Sequence, residues 1–242
     1  MDLMSCWRGT VGLIKPNYRP GSTEDLIRML PEGIGVVPVH IDIDQGTRTQ
    51  FEASIPDYEK WVAKLTELGV DIIHPAGSPP FQILGWRGEQ ELMEKWEKKY
   101  GRPVFTNGMT QVNAFRALGC KRIIGTSYFP NELNRSFADY FREAGLEVLA
   151  MEGVGVDFSK VQTLSSTEIY RFIKTMWRAN RSADGIYILG PAWRTLDIIE
   201  PLEQDLGIPV VHHLPAQAWE VMKRLDVRAP KDGLGRLLRE MP

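Results

Sequence analysis

Cysteine is scarce in this chain: Cys6 and Cys120 are the two thiols among 242 residues. That excludes a disulfide-stapled scaffold and a zinc site built from thiolates. No apolar run reaches the roughly eighteen residues that a helical membrane span needs, so no membrane partner is expected. An excess of either charge is missing too. The 29 basic and 31 acidic side chains give a formal net charge of −2, which supplies no basic face for nucleic acid. Histidine is limited to four residues, with neither HxH nor HExxH spacing, and the sequence predicts no metal. Neither GxGxxG nor GxxxxGK(S/T) occurs, so dinucleotide and P-loop phosphate cradles are not expected. The first ten residues hold no apolar h-region, and the chain reads as a cytoplasmic globular protein.

What is present alternates. Short apolar runs bounded by Gly, Pro or Asn lie at Val11–Ile14, Ile34–Val39, Val70–Ile73, Pro103–Phe105, Arg122–Gly125, Leu146–Met151, Gly185–Leu189 and Pro209–Val211. Runs of this kind without polar alternation suit parallel strands buried on both faces. Between them, Asp57–Gly69, Glu89–Tyr100, Asn131–Gly145 and Ser166–Asn180 carry apolar residues at helical period, three of them ending in Gly or Asn. The pattern predicts an α/β protein with parallel sheets.

The chain also repeats itself. "GVDIIHPAGSPP" from Gly69 and "SADGIYILGPAW" from Ser182 space Asp71–Gly77 and Asp184–Gly190 alike. "GRPVFTN" from Gly101 mirrors "GIPVVHH" from Gly207, pairing Thr106 and Asn107 with His212 and His213. Two similar α/β lobes with a crevice at their strand ends follow, with residues 1–112 plus 218–242 as the first and 113–217 as the second.

The strand ends therefore hold the candidate site. They carry Lys15, Asn17 and Tyr18; His40 and Asp42; His74, Gly77 and Ser78; Asn107; Thr126 and Tyr128; Gly190 and Pro191; and His212 with His213. His212 and His213 point to opposite sides, so one at most faces the crevice. Gly77 and Gly190 are either turn residues needing positive φ or places where an anion approaches the backbone. Ser78 is either a hydrogen-bond donor or a nucleophile, and no base stands beside it in sequence. Tyr128 is core or an oxyanion donor. Trp193 and Arg194 are helix-start surface or an anion contact. A metal site from His40, Asp42, His74 and His212 is the sharp alternative. Tyr18, Phe81, Trp86 and Trp193 predict an aromatic cleft.

These motifs resemble the aspartate/glutamate racemase superfamily, in its branch of arylmalonate decarboxylase and maleate cis-trans isomerase. The similarity runs through "GLIKPN" (12–17), "GVDIIHPAGSPPF" (69–81), "NAFRALGCKRIIGTSYFPNELN" (113–134), "DGIYILGPAWRTLDII" (184–199) and "GIPVVHHLPAQAW" (207–219). The resemblance implies two pseudosymmetric lobes and a cofactor-independent reaction at a carbon beside a carboxylate. It places the family's two cysteines at Gly77 and Gly190, so thiol-based racemisation and covalent addition lose their reacting groups here. The carboxylate frame at Ser78 and Tyr128 survives, while Pro79 replaces a further hydroxyl.

The expectation is a decarboxylase-like lyase for a small, aromatic or unsaturated carboxylate. His40, His74 and Tyr128 are the catalytic candidates. Asn17, Gly77, Ser78, Asn107, Tyr128, Gly190, Pro191 and His212 are the substrate-binding ones. An isomerase, racemase or hydrolase using His or Ser, and a binding protein without turnover, are the alternatives. The resemblance is compatible with a homo-oligomer.

Overall fold

The computed structural model describes residues 5–44, 46–156, 158–190 and 192–242. Two parallel sheets organise it. The first has β1 (Gly9–Lys15) at its centre, flanked by β2 (Ile34–His40) and β3 (Ile72–Pro75). The second comprises β4 (Arg122–Ser127), β5 (Glu147–Gly153), β6 (Gly185–Ile188) and β7 (Val210–His212), in the order β5-β4-β6-β7.

The expected strand at Pro103–Phe105 shrinks to one parallel bridge, Val104 against Ile73. Pro103 has no N–H for the ladder, and Thr106 already turns to cap the next helix. With that bridge counted, the two sheets share one strand order, so the sequence repeat is a repeat of topology. The repeated aspartates play one part in both lobes. Asp71 accepts from Thr10 N (2.7 Å) and Thr10 Oγ1 (2.8 Å), tying the start of β3 to the central strand. Asp184 accepts from Lys121 N (2.8 Å) and Arg122 N (2.7 Å) at the corresponding point beside β4.

Helices cover the sheets: α1 (Ser22–Met29), α2 (Arg48–Ala53), α3 (Ile55–Glu67), α4 (Ser78–Gln82), α5 (Gly85–Tyr100) and α6 (Asn107–Ala117). They continue with α7 (Asn131–Glu143), α8 (Ser166–Ala179), α9 (Ile199–Leu206), α10 (His213–Arg224) and α11 (Arg236–Glu240). The apolar stripe of α7 buries Leu133, Phe137, Tyr140 and Phe141, as its period predicts. In α3 the stripe is Tyr58, Val62 and Leu65. Leu68 falls at the C-cap, beyond the last turn, and is exposed. α5 ends where Gly101 takes the left-handed conformation that lets the chain leave the helix. Across the centre α6 packs on α10 and α5 on α7. α10, which also packs on α1, runs unbroken through residue 217. No helix among the described residues is long and apolar enough to cross a membrane.

Candidate active site

A cavity opens where the carboxyl ends of the two sheets meet. Leu13, Lys15, Asn17, Gly77 and Ser78 line it from the first sheet's side, and Tyr128, Phe129 and Gly190 from the second's. His213 and Gln217 of α10 also face it. Short local bonds hold each wall. The loop after β3 is pinned by Tyr58 Oη, which donates to Ala76 O (2.6 Å), and by Gly77 N, which donates to Asn107 Oδ1 (2.7 Å). The loop after β4 is clasped by Ser127 Oγ donating to Asn134 Oδ1 (2.6 Å) and Asn134 Nδ2 donating to Phe129 O (2.8 Å). That clasp turns Tyr128 and Phe129 toward the cavity.

Lys15 ends β1 with its side chain almost wholly buried. Its Nζ donates to Arg19 O (2.7 Å), and no carboxylate of the described residues lies in ion-pair reach. Burial lowers its pKa below the ordinary 10.5, and the nearby charge of Glu24 offsets that in part. Tyr128 is buried against Trp193, with ring centroids 5.2 Å apart at 85°. Burial pushes its phenol well up, while the Ala192 N–H faces its oxygen. Ser78 Oγ accepts from Gln111 Nε2 (3.3 Å) and lies beside Tyr187. Asn17 closes a tight turn by accepting from Arg19 N (3.2 Å).

The histidines are redistributed relative to expectation. His40 lies at the end of an edge strand, half-buried and stacked on Tyr18 (5.2 Å, 12°), outside the cavity lining. His74 is fully buried in the first sheet. Its Nδ1 donates to Phe105 O (2.7 Å), and desolvation lowers its pKa to about 3. His212 is a structural cap: Nδ1 accepts from Leu214 N (3.1 Å) and Nε2 donates to Thr195 Oγ1 (2.9 Å), so both ring nitrogens are used. None of these three lines the cavity. The histidine that does is the neighbour, His213, because β7 ends at His212 and the chain turns into α10 at the next residue.

Other expectations shift as well. The Gly77 N–H is engaged by Asn107 and does not serve as an oxyanion donor. Asn107 stands behind the cavity wall and holds it, rather than lining it. Pro191 lies outside the described residues. The aromatic walls are Tyr128, Phe51 and Phe129. Tyr18 is exposed, Phe81 sits in the core against Tyr58, and Trp193 supports Tyr128 from behind. Trp86 packs on Tyr140, also away from the cavity. Among the described residues no three His, Cys, Asp or Glu side chains are grouped to hold a metal ion. That geometry removes the alternative built on His40, Asp42, His74 and His212.

Neither thiol reaches the cavity. Cys6 is packed beside Gly35 at the far end of β2. Cys120 lies before β4, donates to Asp184 O (3.3 Å) and is pushed up to about 12 by burial. Gly190, at φ +84°, is crowded: a Cβ there would meet the Tyr128 ring, 2.7 Å from Cζ, and the ring would have to shift. Gly77, at φ +103°, is bounded more loosely by Tyr58 Oη (3.1 Å) and Pro16 Cγ (3.2 Å).

Two facing parallel sheets with a cation, hydroxyls and an apolar wall at their shared carboxyl ends define a class of two-lobed α/β proteins. The profile of the arylmalonate decarboxylase family matches residues 11–238, and the chain belongs to that family. The arylmalonate decarboxylase of Bordetella bronchiseptica is 23% identical over 235 residues, which cover 96% of this chain and 97% of that one. Maleate isomerase Iso of Pseudomonas putida S16 superposes with a TM-score of 0.88 at 20% identity, covering 97% and 99% of the two chains. A maleate cis-trans isomerase of Nocardia farcinica, seen with a covalently bound succinylcysteine intermediate, gives 0.85 at 18%, covering 96% and 98%.

Lys15 and His213 stand among the strand-end residues read from the sequence, but neither was given a binding or catalytic role there. The signal for Lys15 was visible: a lysine closing an otherwise apolar central strand. For His213 the sequence offered a choice of two neighbours, and only the end point of β7 decides between them.

Proposed function

We propose that the protein is a cofactor-independent lyase that removes carbon dioxide from a small dicarboxylate through an enediolate. The observation that carries this reading is Lys15, a buried cation in the cavity with no carboxylate of the described residues to neutralise it. Such a site favours an anion, because the more distant charge of Glu24 offsets the cost of the buried ammonium only in part. The remaining walls are divided in chemistry. Ser78 and Tyr128 offer hydroxyls, whereas Leu13, Ile43, Phe51, Phe129 and Leu189 offer hydrocarbon.

A carboxylate held against the hydrocarbon is poorly solvated, and its loss as neutral carbon dioxide relieves that cost. The breaking C–C bond leaves its electron pair on the other carboxylate as an enediolate. Negative charge then grows where the Ser78 and Tyr128 hydroxyls stand, which is where preorganised donors lower a barrier. The α-carbon next needs a proton. The Tyr128 phenol is held too weakly acidic by burial, and the guanidinium of Arg19, also at the cavity, does not give up its proton. The Lys15 ammonium, made more acidic by burial, is the group fitted to protonate carbon.

Isomerisation of an unsaturated dicarboxylate is the second reading, favoured by the fold shared with the maleate isomerases. The same anion-binding groups would serve it, but the nucleophile would have to be something other than a thiol. The test is to offer the wild-type protein phenylmalonate, methylmalonate and maleate and follow carbon dioxide and fumarate. Carbon dioxide from a malonate supports the lyase. Fumarate without carbon dioxide transfers the assignment to the isomerase, and neither product defeats both.

A further inference from the structure

The hydrogen bonds behind the cavity fix a proton within it. Gly77 N can only donate, so the Asn107 atom 2.7 Å away must be the amide oxygen. The other end of that amide, Nδ2, then faces His213 Nδ1 at 3.1 Å and can only donate to it. A ring nitrogen that accepts carries no proton, so neutral His213 bears its hydrogen on Nε2. Burial keeps the ring neutral, with a pKa of about 3. His213 is buried at 5% exposure, and its Nε2 has no partner among the described residues. An unmatched buried donor in a cavity wall calls for an acceptor in the cavity.

We infer that His213 is a further catalytic residue, an electrophile whose Nε2–H donates to the substrate carboxylate oxygen on which enediolate charge develops, with Asn107 as its positioning residue. This rests on the lyase reading for its substrate, but the tautomer does not. A neutral imidazole suits the task, since it donates a hydrogen bond to the oxyanion without giving up its proton. It also explains why the repeat places Asn107 and His213 at corresponding positions. Each is the first residue of its helix, and the two meet where the lobes join. Asn107 orients, and His213 faces the ligand.

The experiment is ¹⁵N-histidine NMR of the intact wild-type protein, with the His213 signals assigned from their loss in His213→Gln. The expected result is the Nε2–H tautomer, unchanged from about pH 5.5 to about 8.5, with the Nε2–H resonance shifting on addition of phenylacetate. Asn107→Asp, which presents an acceptor to Nδ1, should move the proton to Nδ1. In kinetics, His213→Phe should lose about 10²-fold in kcat, the usual scale for one oxyanion donor. His213→Gln, which keeps an N–H at the same reach, should lose far less, with the pH profile unaltered in both. An Nδ1–H tautomer in wild type, a ring titrating near neutrality, or equal activity of the Phe and Gln variants would overturn the inference. If no malonate is turned over, the lyase reading fails by itself, and the tautomer with its phenylacetate response still decides the assignment of His213.

Discussion

Lys15 shows how much a single side chain can specify. In the proposed reaction its ammonium serves as a charge for binding and as an acid for protonation, and both are lost when it deprotonates. With its pKa held below 10.5, decarboxylation should persist at neutral pH and fall as pH rises through the lowered value. Lys15→Met should weaken kcat/KM by about 10²-fold, the scale for removing one partner of a buried charge pair, and should abolish the alkaline limb. Unchanged kcat/KM in Lys15→Met, measured by carbon dioxide release, would remove the lysine from the mechanism. At this scale the sequence was half legible. It placed Ser78, Gly77, Gly190, Tyr128 and Asn17 at the cavity, since family motifs and strand ends locate them. It misjudged His40, His74 and His212, since a strand end fixes where a side chain starts and not which way it turns.

At the scale of elements, Glu89 links three helices. Lying in α5, it accepts from Thr106 Oγ1 (2.6 Å), the cap of α6, and from Tyr140 Oη of α7. Desolvation raises its pKa from 4.5 to about 7, with both hydroxyls opposing the shift. Folding therefore retains a proton that the unfolded chain releases above 4.5. The stability this contributes is complete below about 4.5 and is lost as pH rises through about 7. Glu89→Gln should lack that loss, so the stability difference between variant and wild type should grow in the variant's favour across that interval. Urea unfolding of both proteins at pH 4.8, 6 and about 7.5 measures it, and a constant difference would contradict it. The elements themselves were legible because helical period survives on buried faces such as that of α7. The segment Pro103–Phe105 was not, because its proline and the Thr106 cap leave room for one bridge and no ladder.

For the molecule as a whole, His74, His212 and His213 are buried with lowered pKa values. The unfolded chain binds protons on these rings near 6.5 that the native protein refuses, so native stability should fall as pH drops below about 6.5. This opposes Glu89 and involves more groups, so acid sensitivity should prevail. Thermal unfolding from pH 7.5 down to about 5 should show a decreasing Tm, and a flat profile would mean that the rings titrate in the native state. The two-lobed plan was legible at this scale, since the Asp71 and Asp184 spacing reports a strand connection that both halves need. The inequality of the halves was not, because it lies in what fills the space beside each repeated glycine. Tyr128 occupies the ground that any side chain at position 190 would require. A side chain introduced there would oblige the phenol to shift, so the bare main chain at 190 and the placement of that hydroxyl in the cavity wall are bound to one another.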